Sequence, residues 1–158
     1  LVGRLKTTPG VTWIPRADNR DVLATMAGAH VGLLPTLDDS LGWSVIEMMA
    51  AGLPVVASNI VALPELIADG ETGELIELPL DADRRWAGVT TSRGDAAVAA
   101  DAGERLVTGL VRAVTRLAND ESRRVALGRA GRSRYLAEFT PELAARRLGN
   151  IYRKALEG

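Results

Sequence analysis

The 158-residue sequence contains no cysteine, one histidine and only six aromatic residues. The first absence excludes a disulfide framework, a thiolate metal site and a cysteine nucleophile, and it favours a reducing cytoplasm. One histidine builds no metal site without neighbouring ligands, so His30 reads as structural or surface-lying, and no metal is expected. The shortage of aromatics weighs against platforms on which single-stranded nucleic acid would stack. Charge of one sign is missing too: 19 Lys and Arg against 20 Asp and Glu leave a formal charge of −1, so no nucleic-acid partner is expected. No apolar run approaches the roughly 18 residues that a bilayer span requires. The opening Leu1-Val2-Gly3-Arg4 carries neither an initiator methionine nor a signal-peptide pattern, which suggests an excised fragment.

What is present is the composition of one globular domain, 47% hydrophobic and 25% charged. A chain of this size buries roughly 68–70% of its unfolded surface, enough for an apolar core without staples. The first 80 residues alternate short apolar runs with helical stretches, as a βαβ series does. Residues 11–14 read as a first strand closed by Pro15. Asp18 then reads as the cap of a helix reaching Ala27, with Val22, Leu23, Met26 and Ala27 on one face. Residues 31–34 read as a second strand covered on both faces. Residues 43–51 form a helix striped by Val45, Ile46, Met49 and Ala50, with Gly52 in the left-handed position after its end. Residues 54–57 are a third strand, 64–68 a short helix, Asp69-Gly70 a turn and 73–78 a fourth strand.

The pattern fails over residues 79–103, which are expected to be a mobile insertion with a short helix near residues 96–100. Beyond them the chain is helical. Leu106, Val107, Leu110, Val111, Val114 and Leu117 share one face of the first helix, and a second starts near Asp120-Glu121. Thr140-Pro141-Glu142 is a helix start, and Ala144, Leu148, Ile151, Tyr152 and Ala155 stripe the helix that follows. The expected fold class is α/β: a Rossmann-like parallel sheet with flanking helices and a C-terminal helical tail.

In an open parallel sheet, ligands bind beyond the carboxyl ends of the strands, so the loop after Leu34 is the place to look. It passes through Gly42 into a helix whose first amides have no internal partner. Those amides and the helix dipole suit a phosphate, and a residue without a β-carbon lets an anion approach the backbone. Glu47 lies five residues past Gly42, about 7 Å along the helix axis. A carboxylate there suits the vicinal hydroxyls of a ribose. Asp39, on the other side of the amides, can accept from sugar hydroxyls. Hydroxyls, phosphate, hydroxyls is the polarity order of a nucleoside diphosphate sugar.

Residues 34–58, Leu-Pro-Thr-x4-Leu-Gly-Trp-Ser-Val-Ile-Glu-Met-Met-Ala-Ala-Gly-Leu-Pro-Val-Val-Ala-Ser, resemble the donor-site signature of the retaining glycosyltransferase family 4, of GT-B fold. Residues 64–73 resemble that family's next block. The resemblance runs from about Val11 to Gly73 and fails over residues 79–103. It implies half of a GT-B fold, with the whole chain as part of a carboxy-terminal nucleotide-sugar-binding domain. It further implies metal-independent transfer with retention, no cofactor beyond the donor substrate, and an absent amino-terminal domain that supplies the acceptor pocket, so that this piece alone is inactive. The acceptor, whether sugar, lipid or small molecule, is left unnamed. By the same resemblance Asp39 touches the transferred sugar as the catalytic acid position and Glu47 binds the ribose. Ser40, Leu41, Gly42, Trp43 and Ser44 line the donor site. This sequence departs from the family in having Asp39 for the usual Glu, Leu41 for Phe, Met48 for Ala and Val61-Ala62 for a Gly-Gly pair. The family's Lys and Arg against the pyrophosphate belong to upstream elements.

Blander readings stand beside these. Glu47 alone would be an exposed helix acid, Asp39 a loop residue or cap, Ser40 and Ser44 turn formers, and Glu65 an exposed helix residue. The arginines of residues 123–134 read as a solvated helix face, with an acidic membrane surface or a partner as the alternative, so the location expected is cytoplasmic or membrane-peripheral. At the level of function the alternatives are an inactive homologue acting as an interaction module and a nucleotide-sugar epimerase on the same fold.

Overall fold

Three short parallel strands in the order β1-β2-β3 form the sheet: β1 (Gly32–Leu34), β2 (Val55–Ser58) and β3 (Glu74–Ile76). The structure, a computed structural model, describes residues 2–87 and 96–157. Around the sheet lie α1 (Val2–Thr7), α2 (Asn19–Ala27), α3 (Trp43–Ala50), α4 (Leu63–Leu66), α5 (Ala96–Asn119), α6 (Glu121–Glu138) and α7 (Pro141–Glu157). Gly32 pairs with Val55 and Leu34 with Ala57, while Val56 pairs with Glu74 and Ser58 with Ile76. This register brings the carboxyl ends of all three strands to one edge. The α/β class and parallel sheet expected from the sequence are thus present.

The core centres on β2, whose four residues are all buried. Val45, Met48 and Met49 of α3, Leu63 and Leu66 of α4, and Leu106, Ala113 and Leu117 of α5 close around it. Close approaches are made through glycines. A β-carbon at Gly128 of α6 would collide with the carbonyl of Gly52, and one at Gly109 of α5 would sit 2.5 Å from Ile76 Cγ2. Met48, outside the expected stripe of α3, is buried because its sulfur fills the space that Gly32 leaves open.

Several expectations are corrected. Residues 11–14 form no strand, and Val11, Trp13 and Ile14 stand exposed. A strand requires a partner, and the described residues offer them none. For the same reason β1 is an edge strand, and Leu33 is 46% exposed where cover on both faces was expected. Asp18 sits at the N-cap of α2 without a side-chain cap bond; its carbonyl accepts the amides of Asp21 and Val22 instead. Of the region expected to be a mobile insertion, residues 79–87 make a turn in which Leu80 bridges Trp86 and Trp86 is buried. The helix near residue 96 is the start of α5 and runs without a break to Asn119. Residues 88–95 lie outside the described residues. On α5, Val107 and Val111 are each 61% exposed and line a concavity of about 650 Å³, because the contact line runs through Ala102, Leu106, Gly109, Ala113 and Leu117.

Four of the five arginines of α6 are struts more than a solvated face, while Arg129 is exposed. Arg123 pairs with Glu74 at 3.1 Å, Arg124 donates to the carbonyls that end α5, Arg132 to Ala50 O and Arg134 to Glu65 O. Glu74 is 3% exposed and also takes Arg116 at 2.5 Å, tying β3 to α5 and α6. Burial pushes its carboxyl up, but the two guanidinium groups outweigh that and hold it below the ordinary glutamate range. Other signals read as expected. Asp120 caps α6 by accepting from Arg123 N at 2.8 Å, Thr140 accepts Leu143 N at 3.3 Å, and Gly52 and Gly70 have φ of +78° and +74°. The stripe of α7 at Leu148, Ile151 and Tyr152 is exposed. Among the described residues no helix is long and apolar enough to cross a membrane.

Candidate donor site

The β1–α3 loop leaves Leu34 at the carboxyl edge of the sheet and is folded by its own polar side chains. The Thr36 hydroxyl donates to Asp38 O at 2.6 Å, and the Asp38 amide donates back to it at 3.2 Å. Thr36 O accepts from the hydroxyl of Ser58, a fully buried residue at the end of β2, so the loop is tethered to the next strand. Gly42 follows with φ +75° and ψ +45° as the N-cap of α3. Its left-handed backbone favours glycine, and a β-carbon there would also strike the side chain of Leu63.

The amides at this corner fall into two pairs. Asp39 Oδ1 accepts from Leu41 N at 3.0 Å and from Gly42 N at 2.6 Å. The amides of Trp43 and Ser44, the first two of α3, have no hydrogen-bond partner among the described residues. They lie at the positive end of the helix dipole, where an anion is favoured. Trp43 is 68% exposed beside them. Glu47 is half-buried in the following turn, and its Oε1 accepts from Asn19 Nδ2 at 3.2 Å. The structure therefore gathers Asp39, Leu41, Gly42, Trp43, Ser44 and Glu47 on one loop and helix end. Two of the four amides expected for phosphate already carry the carboxylate of Asp39. Ser40 and Ser44 supply no cap bond, and no side chain caps α3: Asp39 holds the amides of Leu41 and Gly42 that precede the helix, and Gly42 O accepts from Val45 N at 2.9 Å.

Two neighbours escaped the sequence reading. Asn19 has no local signal, being 28 positions from its partner. Val61, in the loop after β2, has φ +46°, unusual for a β-branched residue. Its amide donates at 2.7 Å to the carbonyl of Arg84, itself at φ +60°, and the Arg84 guanidinium pairs with Glu65 at 3.3 Å. The replacement of a Gly-Gly pair by Val61-Ala62 was the available signal of a left-handed position there. Glu65 is exposed and ion-paired, as its bland reading held.

Residues 2–88 match the family described as "Glycosyl transferases group 1". The chain belongs to this glycosyltransferase family. This glycosyltransferase segment is 30% identical over 146 residues to the alpha-maltose-1-phosphate synthase of Mycobacterium tuberculosis, covering 92% of the segment and 33% of that protein. It is 29% identical over 137 residues to the D-inositol 3-phosphate glycosyltransferase of Corynebacterium aurimucosum, covering 87% of the segment and 26% of the relative. The solved sucrose-phosphate synthase of Thermosynechococcus elongatus superposes with a TM-score of 0.73 at 26% identity, over 99% of the segment and 33% of that chain. The segment thus spans about a third or less of these relatives, and its architecture is consistent with half of a GT-B fold.

Proposed function

We propose that the chain is the carboxy-terminal donor-binding domain of a glycosyltransferase of family 4 that uses a nucleoside diphosphate sugar and retains anomeric configuration. The observation that carries this reading is the amino end of α3. Two amides without a partner among the described residues follow a left-handed glycine at the carboxyl edge of a parallel sheet, with a half-buried carboxylate in the next turn. The amides of Trp43 and Ser44 and the helix dipole take the diphosphate, whose charge grows as the glycosidic bond breaks. Charge stabilisation by backbone donors assigns no role to a metal. Glu47 accepts from a ribose hydroxyl, and Asp39 faces the transferred sugar once its carboxylate releases the amides of Leu41 and Gly42. An amino-terminal domain supplies the acceptor side, and closure of the two halves excludes water. The chain alone then binds donor without transferring it.

Calorimetry of the chain with ADP, GDP and UDP and their common sugars tests the reading. Binding to one of them, lost in Glu47→Ala without a change in melting temperature, is the expected result. No donor-dependent heat from the full-length protein with any of these ligands overturns it. One observation favours a second reading, an inactive homologue kept as an interaction module: the carboxylate of Asp39 already occupies two of the four amides. Turnover by the complete protein excludes that reading.

A further inference from the structure

Asn19 opens α2, a helix that buries none of its residues. Met26 of this helix packs against the core, but Asn19, two turns before it, is exposed and is held to α3 by its hydrogen bond to Glu47. The bond joins the amino end of one helix to the second turn of another, across 28 positions of sequence. We infer that Asn19 is a positioning and specificity residue for the pentose of the ligand, an inference that rests on the donor-site reading above. The chemistry is a matter of acceptors. An ionised carboxylate offers about four lone-pair directions and no donor. By donating to Oε1, the Asn19 amide fixes the plane of the Glu47 carboxylate and leaves Oε2 free. The other end of the same amide, Oδ1, has no partner among the described residues and adds an acceptor beside Oε1. A vicinal diol brings two donors to this corner, and two differently placed acceptors, Glu47 Oε2 and Asn19 Oδ1, read one hydroxyl each. A deoxy sugar leaves one acceptor idle and loses its contribution. Asn19 thus converts a single carboxylate into a reader of ribose against deoxyribose.

The test uses the chain with whichever of ADP, GDP and UDP binds best and with its 2′-deoxy counterpart, both measured by calorimetry. The unaltered chain is expected to prefer the ribonucleotide by about tenfold. Asn19→Ala weakens the ribonucleotide by about tenfold and the deoxynucleotide less than twofold, so the preference collapses while the melting temperature stays put. Asn19→Asp, of the same shape but without the donor, collapses it as well. If Glu47→Ala abolishes binding while Asn19→Ala keeps the original preference, this inference falls and the donor-site reading stands. If none of the diphosphates binds the unaltered chain or the full-length protein, both fall together.

Discussion

Residues 3–30 and residues 45–78 draw on similar apolar side chains and meet opposite fates. Among the described residues of the first stretch none is buried, and Val11, Trp13, Ile14 and Leu23 face solvent. In the second, Val45, Val55, Val56 and Ile60 are fully buried. The difference lies in partners. β2 has a strand on each side and helices over it, while residues 11–14 pair with no strand among the described residues, and apolar alternation stabilises a strand only when a neighbour pairs with it. The candidate site straddles the boundary: α3 is anchored in the buried half, while Asn19 reaches it from the exposed one.

That contrast can be broken at several points. The largest effect is expected in the buried half, at Gly128→Ala, where the new β-carbon meets the backbone of Gly52. Denaturant unfolding should show a loss of about 3 kcal/mol. Glu74→Gln should cost about 2 kcal/mol by weakening the ties to Arg116 and Arg123. The sign of its pH dependence follows from the lowered carboxyl. The folded state binds the proton less readily than the unfolded chain, so the stabilisation is complete above the ordinary glutamate range and is lost as pH falls through and below about pH 4. Melting curves of the two proteins should therefore converge in acid; a gap that widens there would assign the ionised form no stabilising role. At the boundary, Asp39→Asn keeps an acceptor oxygen for the Leu41 and Gly42 amides but removes a negative charge from the amide corner. Its affinity for the diphosphate ligand should rise about threefold by calorimetry. The smallest effect belongs to the exposed half. Trp13→Ser should change stability by no more than about 0.5 kcal/mol. A loss above about 1 kcal/mol would show that residues 11–14 pack in solution, and the contrast between the halves would vanish.

The sequence reading was strongest where a local rule sufficed. The caps at Asp120 and Thr140, the left-handed Gly52, the turn at Gly70 and the helix at residue 43 all obey rules written within five residues. It failed where burial depends on a distant element. The α5 stripe at Val107 and Val111 has ideal helical spacing, yet the helix turns the line of Ala102, Leu106, Gly109, Ala113 and Leu117 inward, with Gly109 allowing it so near Ile76. The arginines of α6 look like a solvated face by sequence, yet the partners of Arg123, Arg124, Arg132 and Arg134 are a strand glutamate and the ends of three other elements. At the site, the loop, its glycine and its two acids were legible. The hold of Asp39 on the Leu41 and Gly42 amides matches its blander reading as a loop residue or cap, whereas the tether of Thr36 O to Ser58, 22 positions away, was not legible.

By itself, the sequence determined the α/β alternation, the parallel connections and the placing of Gly42 and Glu47 at one helix start, because period, turn chemistry and spacing are properties of neighbours along the chain. The tertiary structure alone decided which apolar runs became strands, which arginines became struts, and that Asn19 meets Glu47. Each of those depends on which surfaces are left over once β2 has been covered, and that is a matter of packing in space.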